Sequence, residues 1–212
     1  MRCRDKQKKI TKKQLTLISR DDLEKVLSEI ANTAYDIPCQ IAIHTGLRCG
    51  EVLGLTWDDI DFDTKTITVN KQLQNQHNDL VIASTKTTTS NRVLGMTKKL
   101  YDILLESKTQ QAKFKSILSN EYHTKHDFVC CHDDGRPINP RTLTNYTARL
   151  VDKLGISFKF HDLRHLHATM MLEADANIKV LQERLGHSDI GTTLNTYSHV
   201  TRKLEDAAIE RF

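Results

Sequence analysis

The stretch HDLRHLHATMMLEADANIKVLQERLGHSDIGTTLNTYSH, residues 161–199, decides how the rest of the chain is read. Leu163, Leu166 and Met170 recur at helical spacing, and Gly186 stands where a helix over 178–185 needs a left-handed stop. The stretch therefore predicts helices over about 161–174, 178–185 and 189–195, with another over 201–210. It also holds five of the ten histidines. His161 and Arg164 lie one helical turn apart, so an imidazole and a guanidinium share one face beside the apolar stripe. Such a pair makes an anion clamp; the alternative is a surface helix whose arginine pairs with Asp or Glu.

The same residues carry a second reading. His161 and His165, at i and i+4, imitate the H-E-x-x-H helix of zinc hydrolases, with Asp162 where the general-base Glu would stand. Asp is one methylene shorter than Glu, and Arg164 would put a fixed positive charge beside a dication, so the pattern argues against itself.

Working outward, Asp133-Asp-Gly-Arg-Pro-Ile-Asn-Pro140 reads as a turn into a helix at about 141–154, and Asp127-Phe-Val-Cys as a short extended piece. After Thr97 a helical period runs through Leu100, Ile103, Leu104, Phe114 and Leu118, with a break expected near Ser107. Ile60, Phe62, Ile67 and Val69 alternate with polar residues, and Leu80-Val-Ile-Ala and Arg92-Val-Leu add two short strands, which predicts a three-stranded antiparallel meander. The polar run Ser84–Asn91 between the last two strands predicts a hairpin turn with Lys86 at its start. Ser19 and Asp22 form a capping box for a helix at about 20–33. Pro38 opens a second helix that stops near Gly46, and a third begins near Arg48, so Thr45-Gly-Leu-Arg48 is a helix-to-helix corner.

Composition bounds the function. The 212 residues are 38% hydrophobic and 27% charged with three prolines, which describes a helix-rich globular chain. No apolar run reaches the ~18 residues of a membrane span, and the N-terminus lacks a signal peptide's apolar stretch, so a cytoplasmic protein is expected. Five cysteines without C-x-x-C spacing indicate neither a disulfide framework nor a cysteine zinc site. Residues 1–20 carry eight Lys and Arg against one Asp, leaving 23 basic and 26 acidic residues beyond them. A basic leader on a near-neutral body suits an arm that meets a polyanion, or a solvated linker.

Taken singly, Arg48, Lys86, His187 and Tyr197 are ordinary residues. In order they are Thr45-Gly-Leu-Arg-Cys-Gly-Glu-Val-Leu-Gly-Leu55, Lys86 in a strand turn, His161-Asp-Leu-Arg-His165, Leu185-Gly-His-Ser188, and Tyr197 in Asn-Thr-Tyr-Ser-His199. This series closely resembles the tyrosine recombinase family, most of all the integrases of temperate phages and conjugative transposons, over about residues 19–210. The resemblance implies an α+β, mainly helical catalytic domain with a small three-stranded antiparallel sheet at 19–212, preceded by a basic linker or arm remnant at 1–18.

It further implies site-specific DNA recombination, for integration or excision of a mobile element, without metal or ATP. Tyr197 is then the nucleophile that forms a 3′-phosphotyrosine. Arg48 and Arg164 bind the non-bridging phosphate oxygens, Lys86 protonates the leaving 5′-oxygen, and His161 and His187 hydrogen-bond the phosphate, with His161 as candidate general base. Glu51 buttresses the site, and no cofactor is called for. The implied partner is duplex DNA at attachment sites, with a homotetramer on DNA for the full-length protein, its last helix docking on a neighbour through Leu204, Ala207, Ala208 and Ile209, and a monomer for the isolated domain. A catalytically silent DNA-binding module of the same fold, the zinc hydrolase on His161 and His165, and a type IB topoisomerase are the alternatives.

Overall fold

The computed structural model describes residues 18–77, 79–84, 91–194, 196–198 and 209. Helix α1 (Arg20–Ile30) begins at its expected cap, where Ser19 Oγ accepts the Asp22 N–H at 3.1 Å, and buries Val26 and Ile30. It stops short of 33 because Ala31 leaves the helical region and Asn32 takes a φ of 61°. Helix α2 (Asp36–Thr45) carries Pro38 in its first turn, where an absent N–H breaks no bond, and ends on Gly46. Cys39, Ile41, Ala42, Ile43 and Thr45 bury α2 on most of its circumference. It is the central helix, packed against α3 (Cys49–Leu53), α4 (Lys98–Leu118) and α6 (Asp162–Glu173).

The strands differ from the expected meander. Ile60 to Val69 is two strands, β1 (Ile60–Asp61) and β2 (Thr66–Val69), folded back so that Ile60 faces Ile67. Asp61 Oδ1 accepts the N–H groups of Asp63 and Thr64 at 2.8 and 2.9 Å, and Lys65 takes a φ of 55°, which closes the turn. Four polar residues, Asp63 to Thr66, separate Ile60 and Phe62 at even positions from Ile67 and Val69 at odd ones, so the change of phase coincides with the turn. The three-stranded antiparallel sheet is β1-β2-β5, with β5 (Arg92–Gly95) paired to β2. Leu80-Val-Ile-Ala lies instead in β4 (Asp79–Ser84), which pairs with β3 (Lys71–Gln76) in a separate hairpin. Strand β3 escapes sequence reading because Leu73 is its one apolar residue. That leucine is buried where β3 crosses α3, so close that a Cβ on Gly54 would stand 2.8 Å from the Leu73 nitrogen.

Helix α4 runs unbroken for 21 residues from the Thr97 cap, with Leu100 and Leu104 buried. Ser107 does not break it, since a serine costs a helix only a few tenths of a kcal/mol. Helix α5 (Pro140–Leu154) is capped by Asn139, and its Tyr146 stacks on Tyr35 at 4.0 Å between ring centroids. The expected extended piece at 127–130 contributes a single bridge, Thr56 with Phe128, and Cys131 just beyond it bridges Pro137. Helix α7 (Ile178–Leu185) ends on Gly186. Residues 190–194 are helical, and residues 196–198, which include Tyr197, are helical beyond the expected end at 195. The leader before Ile18, Lys86, His199 and the helix expected over 201–210 lie outside the described residues, except Ile209, which is exposed. Among the described residues no helix is long and apolar enough to cross a membrane.

Candidate functional site

The site is built on the corner between α2 and α3. Gly46 has a φ of 70°, and a Cβ there would fall 2.7 Å from His167 Cδ2 and 2.8 Å from Leu185 Cδ2. Glycine is therefore required twice over, for the left-handed backbone and for the close approach of α6 and α7. The carbonyls at the ends of α2 and α7 point into the same space, and a helix C-terminus is where cations are stabilised.

Arginines fill that space. Arg164, only 2% exposed, donates from Nη1 to Gly46 O at 2.7 Å and from Nη2 to Leu185 O at 2.8 Å. Burial, with Arg48 adding to it, lowers its pKa to about 10, so it stays charged at neutral pH. Arg48 caps α3 and donates from Nη2 to Gly186 O at 3.2 Å and from Nη1 to Glu51 Oε1 at 2.9 Å. Its backbone N–H reaches Glu51 Oε2 at 2.9 Å. From the far side Arg92 of β5 meets the same carboxylate with Nη1 and Nη2, at 3.2 and 2.9 Å, and donates from Nε to Arg184 O at 2.8 Å. Burial alone would raise the Glu51 carboxyl; the Arg92 and Arg48 contacts outweigh it and hold the group below its ordinary value. Arg184 completes the frame, donating to His167 Nε2, His44 O and Gly95 O.

The histidines are neutral at pH 7. His187 is pushed down to about 4 by burial and by Arg164, Arg48 and Arg92, and its Nδ1 lies 2.7 Å from the fully buried Thr193 Oγ1. Gln182 fixes the loop beneath it by donating to His187 O at 2.9 Å. His161 sits at the N-cap position of α6, held below its ordinary value by burial and Arg164. Its ring meets His165 edge-on at 4.8 Å. His165 Nδ1 is 3.0 Å from Tyr197 Oη. Tyr197 is 1% exposed and shares a small apolar cluster with Ala168, Leu172, Leu181 and Leu185. Burial pushes its hydroxyl up to about 12, with Arg164 pulling the other way. The phenol is thus a weaker acid than free tyrosine, despite the charge of Arg164.

The structure brings Arg48, Glu51, Arg164, His161, His187 and Tyr197 onto adjoining elements. Lys86 lies outside the described residues; the strands flanking it, β4 and β5, pair with β3 and β2 and so belong to different sheets. Sequence reasoning missed Arg92, Arg184 and Thr193, and it singled out His165 as a zinc ligand beside His161, not as a neighbour of Tyr197. For the metal reading, Asp162 Oδ2 is engaged by the Lys159 N–H at 2.7 Å, in the turn that leads into α6. Among the described residues no three His, Cys, Asp or Glu side chains gather to hold an ion. A groove of about 950 Å³ lined by Thr33, Gln40, Gln110, Phe114 and Cys131, among others, contains none of the site residues.

Comparison with known proteins follows the same residues. The chain is 28% identical over 209 residues to a "Tyrosine recombinase XerC-like" protein of Caldanaerobacter subterraneus subsp. tengcongensis, covering 93% of this chain and 54% of that protein. It is 30% identical over 190 residues to the ICEBs1 integrase of Bacillus subtilis, covering 89% and 48%. The chain thus spans about half the length of the curated relatives it matches. Among solved structures, the Tn1549 transposon integrase in complex with transposon right end DNA superposes with a TM-score of 0.77 at 26% identity, over 93% of this chain and 66% of that one. The Phage integrase family matches residues 10–203, nearly the whole chain. With its helical frame, its three-stranded sheet and its arginine corner in the matched region, the chain belongs to the phage integrase family.

Proposed function

We propose that the chain is the catalytic part of a site-specific recombinase that cuts and rejoins duplex DNA through a 3′-phosphotyrosine on Tyr197. The observation that carries this reading is the convergence of Arg48 and Arg164 on the carbonyls of Gly46, Leu185 and Gly186, next to His187 and with Tyr197 packed against Leu185. Two guanidiniums held by carbonyls form a fixed cationic seat for one phosphate, and a bound phosphate supplies the negative charge that this cluster gathers for.

In the reaction Tyr197 Oη bonds to phosphorus as the bond to the 5′-oxygen breaks. Ionising a phenol with a pKa of about 12 at pH 7 costs about 7 kcal/mol. The site offsets this by stabilising charge on the pentacoordinate phosphorane: Arg48 and Arg164 bind the non-bridging oxygens, and His161 and His187, both neutral, hydrogen-bond to them. Lys86 protonates the leaving 5′-oxygen. Glu51, clasped by Arg48 and Arg92, keeps the Arg48 fork aimed. The phosphotyrosyl bond conserves the energy of the cut phosphodiester, so rejoining needs no ATP.

The partner is duplex DNA at the attachment sites of a mobile element, as the Tn1549 complex supports, and the protein acts in the cytoplasm. Residues 19–212 form the catalytic domain and the basic residues 1–18 an arm along DNA. The full-length protein works as a homotetramer on its sites, while the isolated domain is a monomer. The test is covalent capture on nicked suicide duplexes: wild type forms an adduct stable to denaturation and Tyr197→Phe forms none. An adduct that persists in Tyr197→Phe would sink the assignment of the nucleophile.

A further inference from the structure

We propose that His165, the residue after the second arginine, holds the hydroxyl of Tyr197 and accepts its proton during cleavage. The inference rests on the reading of Tyr197 as the nucleophile and departs from the role that family resemblance gives to His161. His165 Nδ1 lies 3.0 Å from Tyr197 Oη, with the two rings 5.9 Å apart and inclined at 60°. The pairing is built into the packing. His165 is anchored on α6 three residues before Ala168, and Ala168 shares with Tyr197 the apolar cluster that fixes the tyrosine ring.

A phenol is a stronger donor than an imidazole N–H, so Tyr197 donates and the ring proton of His165 sits on Nε2. Burial, His161 and Arg164 hold the imidazole below its ordinary value, which keeps the Nδ1 lone pair available at neutral pH. Because Tyr197 is a weak acid here and His165 a weak base, full transfer does not precede attack. The proton moves to Nδ1 as Oη bonds to phosphorus; the electron pair of the P–O5′ bond leaves with the 5′-oxygen, which is protonated by the general acid. On rejoining, the 5′-hydroxyl attacks phosphorus and the His165 imidazolium returns its proton to Tyr197. The ring of His161 meets the base edge-on at 4.8 Å between centroids.

The test uses nicked duplexes first selected by wild-type capture from a pool of random sequence, with single-turnover adduct formation as the readout. His165→Asn places an amide oxygen near the position of Nδ1, so it accepts the tyrosine hydrogen bond but takes no proton. Both His165→Ala and His165→Asn are expected to slow adduct formation by about 10²–10⁴-fold. The loss should persist when the 5′-bridging oxygen is replaced by sulfur, whose departure needs no acid, and should shrink when 3-fluorotyrosine replaces Tyr197. If His165→Ala fails to fold, His165→Asn decides. Adduct formation by His165→Asn within a few-fold of wild type overturns the proposal, as does a defect that the bridging sulfur cures. Failure of wild type to form any adduct strikes the strand-cleavage reading itself, which separates the two.

Discussion

Glu51 and Arg92 form a two-pronged ion pair, Nη2 to Oε2 at 2.9 Å and Nη1 to Oε1 at 3.2 Å, between residues 41 positions apart in the chain. Arg48 grips the same carboxylate through its backbone and its side chain. The pair therefore ties β5 to the glycine corner, and its side chains are nearly out of solvent, 8% and 3% exposed.

Removing one partner leaves the other as an uncompensated buried charge. Arg92→Ala and Glu51→Gln should each lower stability by about 3–5 kcal/mol. Urea unfolding should show this as a lower midpoint with an unchanged slope. Because the folded-state pKa of Glu51 is depressed, its contribution is present above the ordinary carboxyl pKa and is lost as pH falls through the lowered value. A Glu51→Gln variant as stable as wild type at pH 7 would count against the pair.

His167 carries a second pH dependence. Burial and Arg184 hold it at about 4 in the fold, against 6.5 as the reference value. Its Nε2 accepts from Arg184 Nε at 3.1 Å, so Nδ1 carries the proton and donates to Ile43 O at 2.9 Å. A depressed histidine costs nothing above the unfolded pKa; as pH falls below about 6.5 the unfolded chain binds the proton first. Stability should drop by about 3 kcal/mol from this residue by pH 4. Thermal unfolding across that range should show a shallower decline in His167→Gln than in wild type.

Gly46→Ala puts a Cβ 2.7 Å from the His167 ring in a backbone with φ 70°. The expected cost is about 1–3 kcal/mol in stability. Arg48 and Arg164 both hang on this corner, and a misplacement of ~1 Å costs about 10²-fold in rate. Adduct formation measured at saturating enzyme should therefore fall further than the stability loss explains.

Thr193 and His187 make a separable test. Thr193→Val keeps the shape of a fully buried residue and removes the hydroxyl 2.7 Å from His187 Nδ1. Strand cleavage should slow by about 5- to 150-fold, the effect of ~1–3 kcal/mol for an unmade bond in a buried setting. Thr193→Ser should recover most of the rate. Equal rates for the valine and serine variants would show that the hydroxyl does not orient His187.

Much of the frame was legible because its signals are local. Ser19, Asn139 and Gly186 mark helix ends by chemistry acting within four residues, and the leucines at 100, 104, 163 and 181 mark buried faces by period. Strand β3 was illegible because Lys71–Gln76 buries a single side chain, whereas the β1–β2 turn is marked locally, by the polar run from Asp63 to Thr66 between apolar pairs of opposite phase. Arg92 and Arg184 were illegible as parts of the site, since an arginine's partner leaves no trace in its own neighbourhood of sequence.

By itself the sequence determined the helices, the glycine corner and the ordered series from Arg48 to Tyr197, because capping, backbone freedom and periodicity are properties of short segments. Only the tertiary structure decided which groups meet: Arg92 with Glu51, Arg164 with two helix ends, His165 with Tyr197. Those pairings span between 21 and 118 positions, and they depend on how α2, α6, α7 and β5 pack around Gly46. Burial, which also follows from that packing, sets the acidity of Tyr197 and the neutrality of His187.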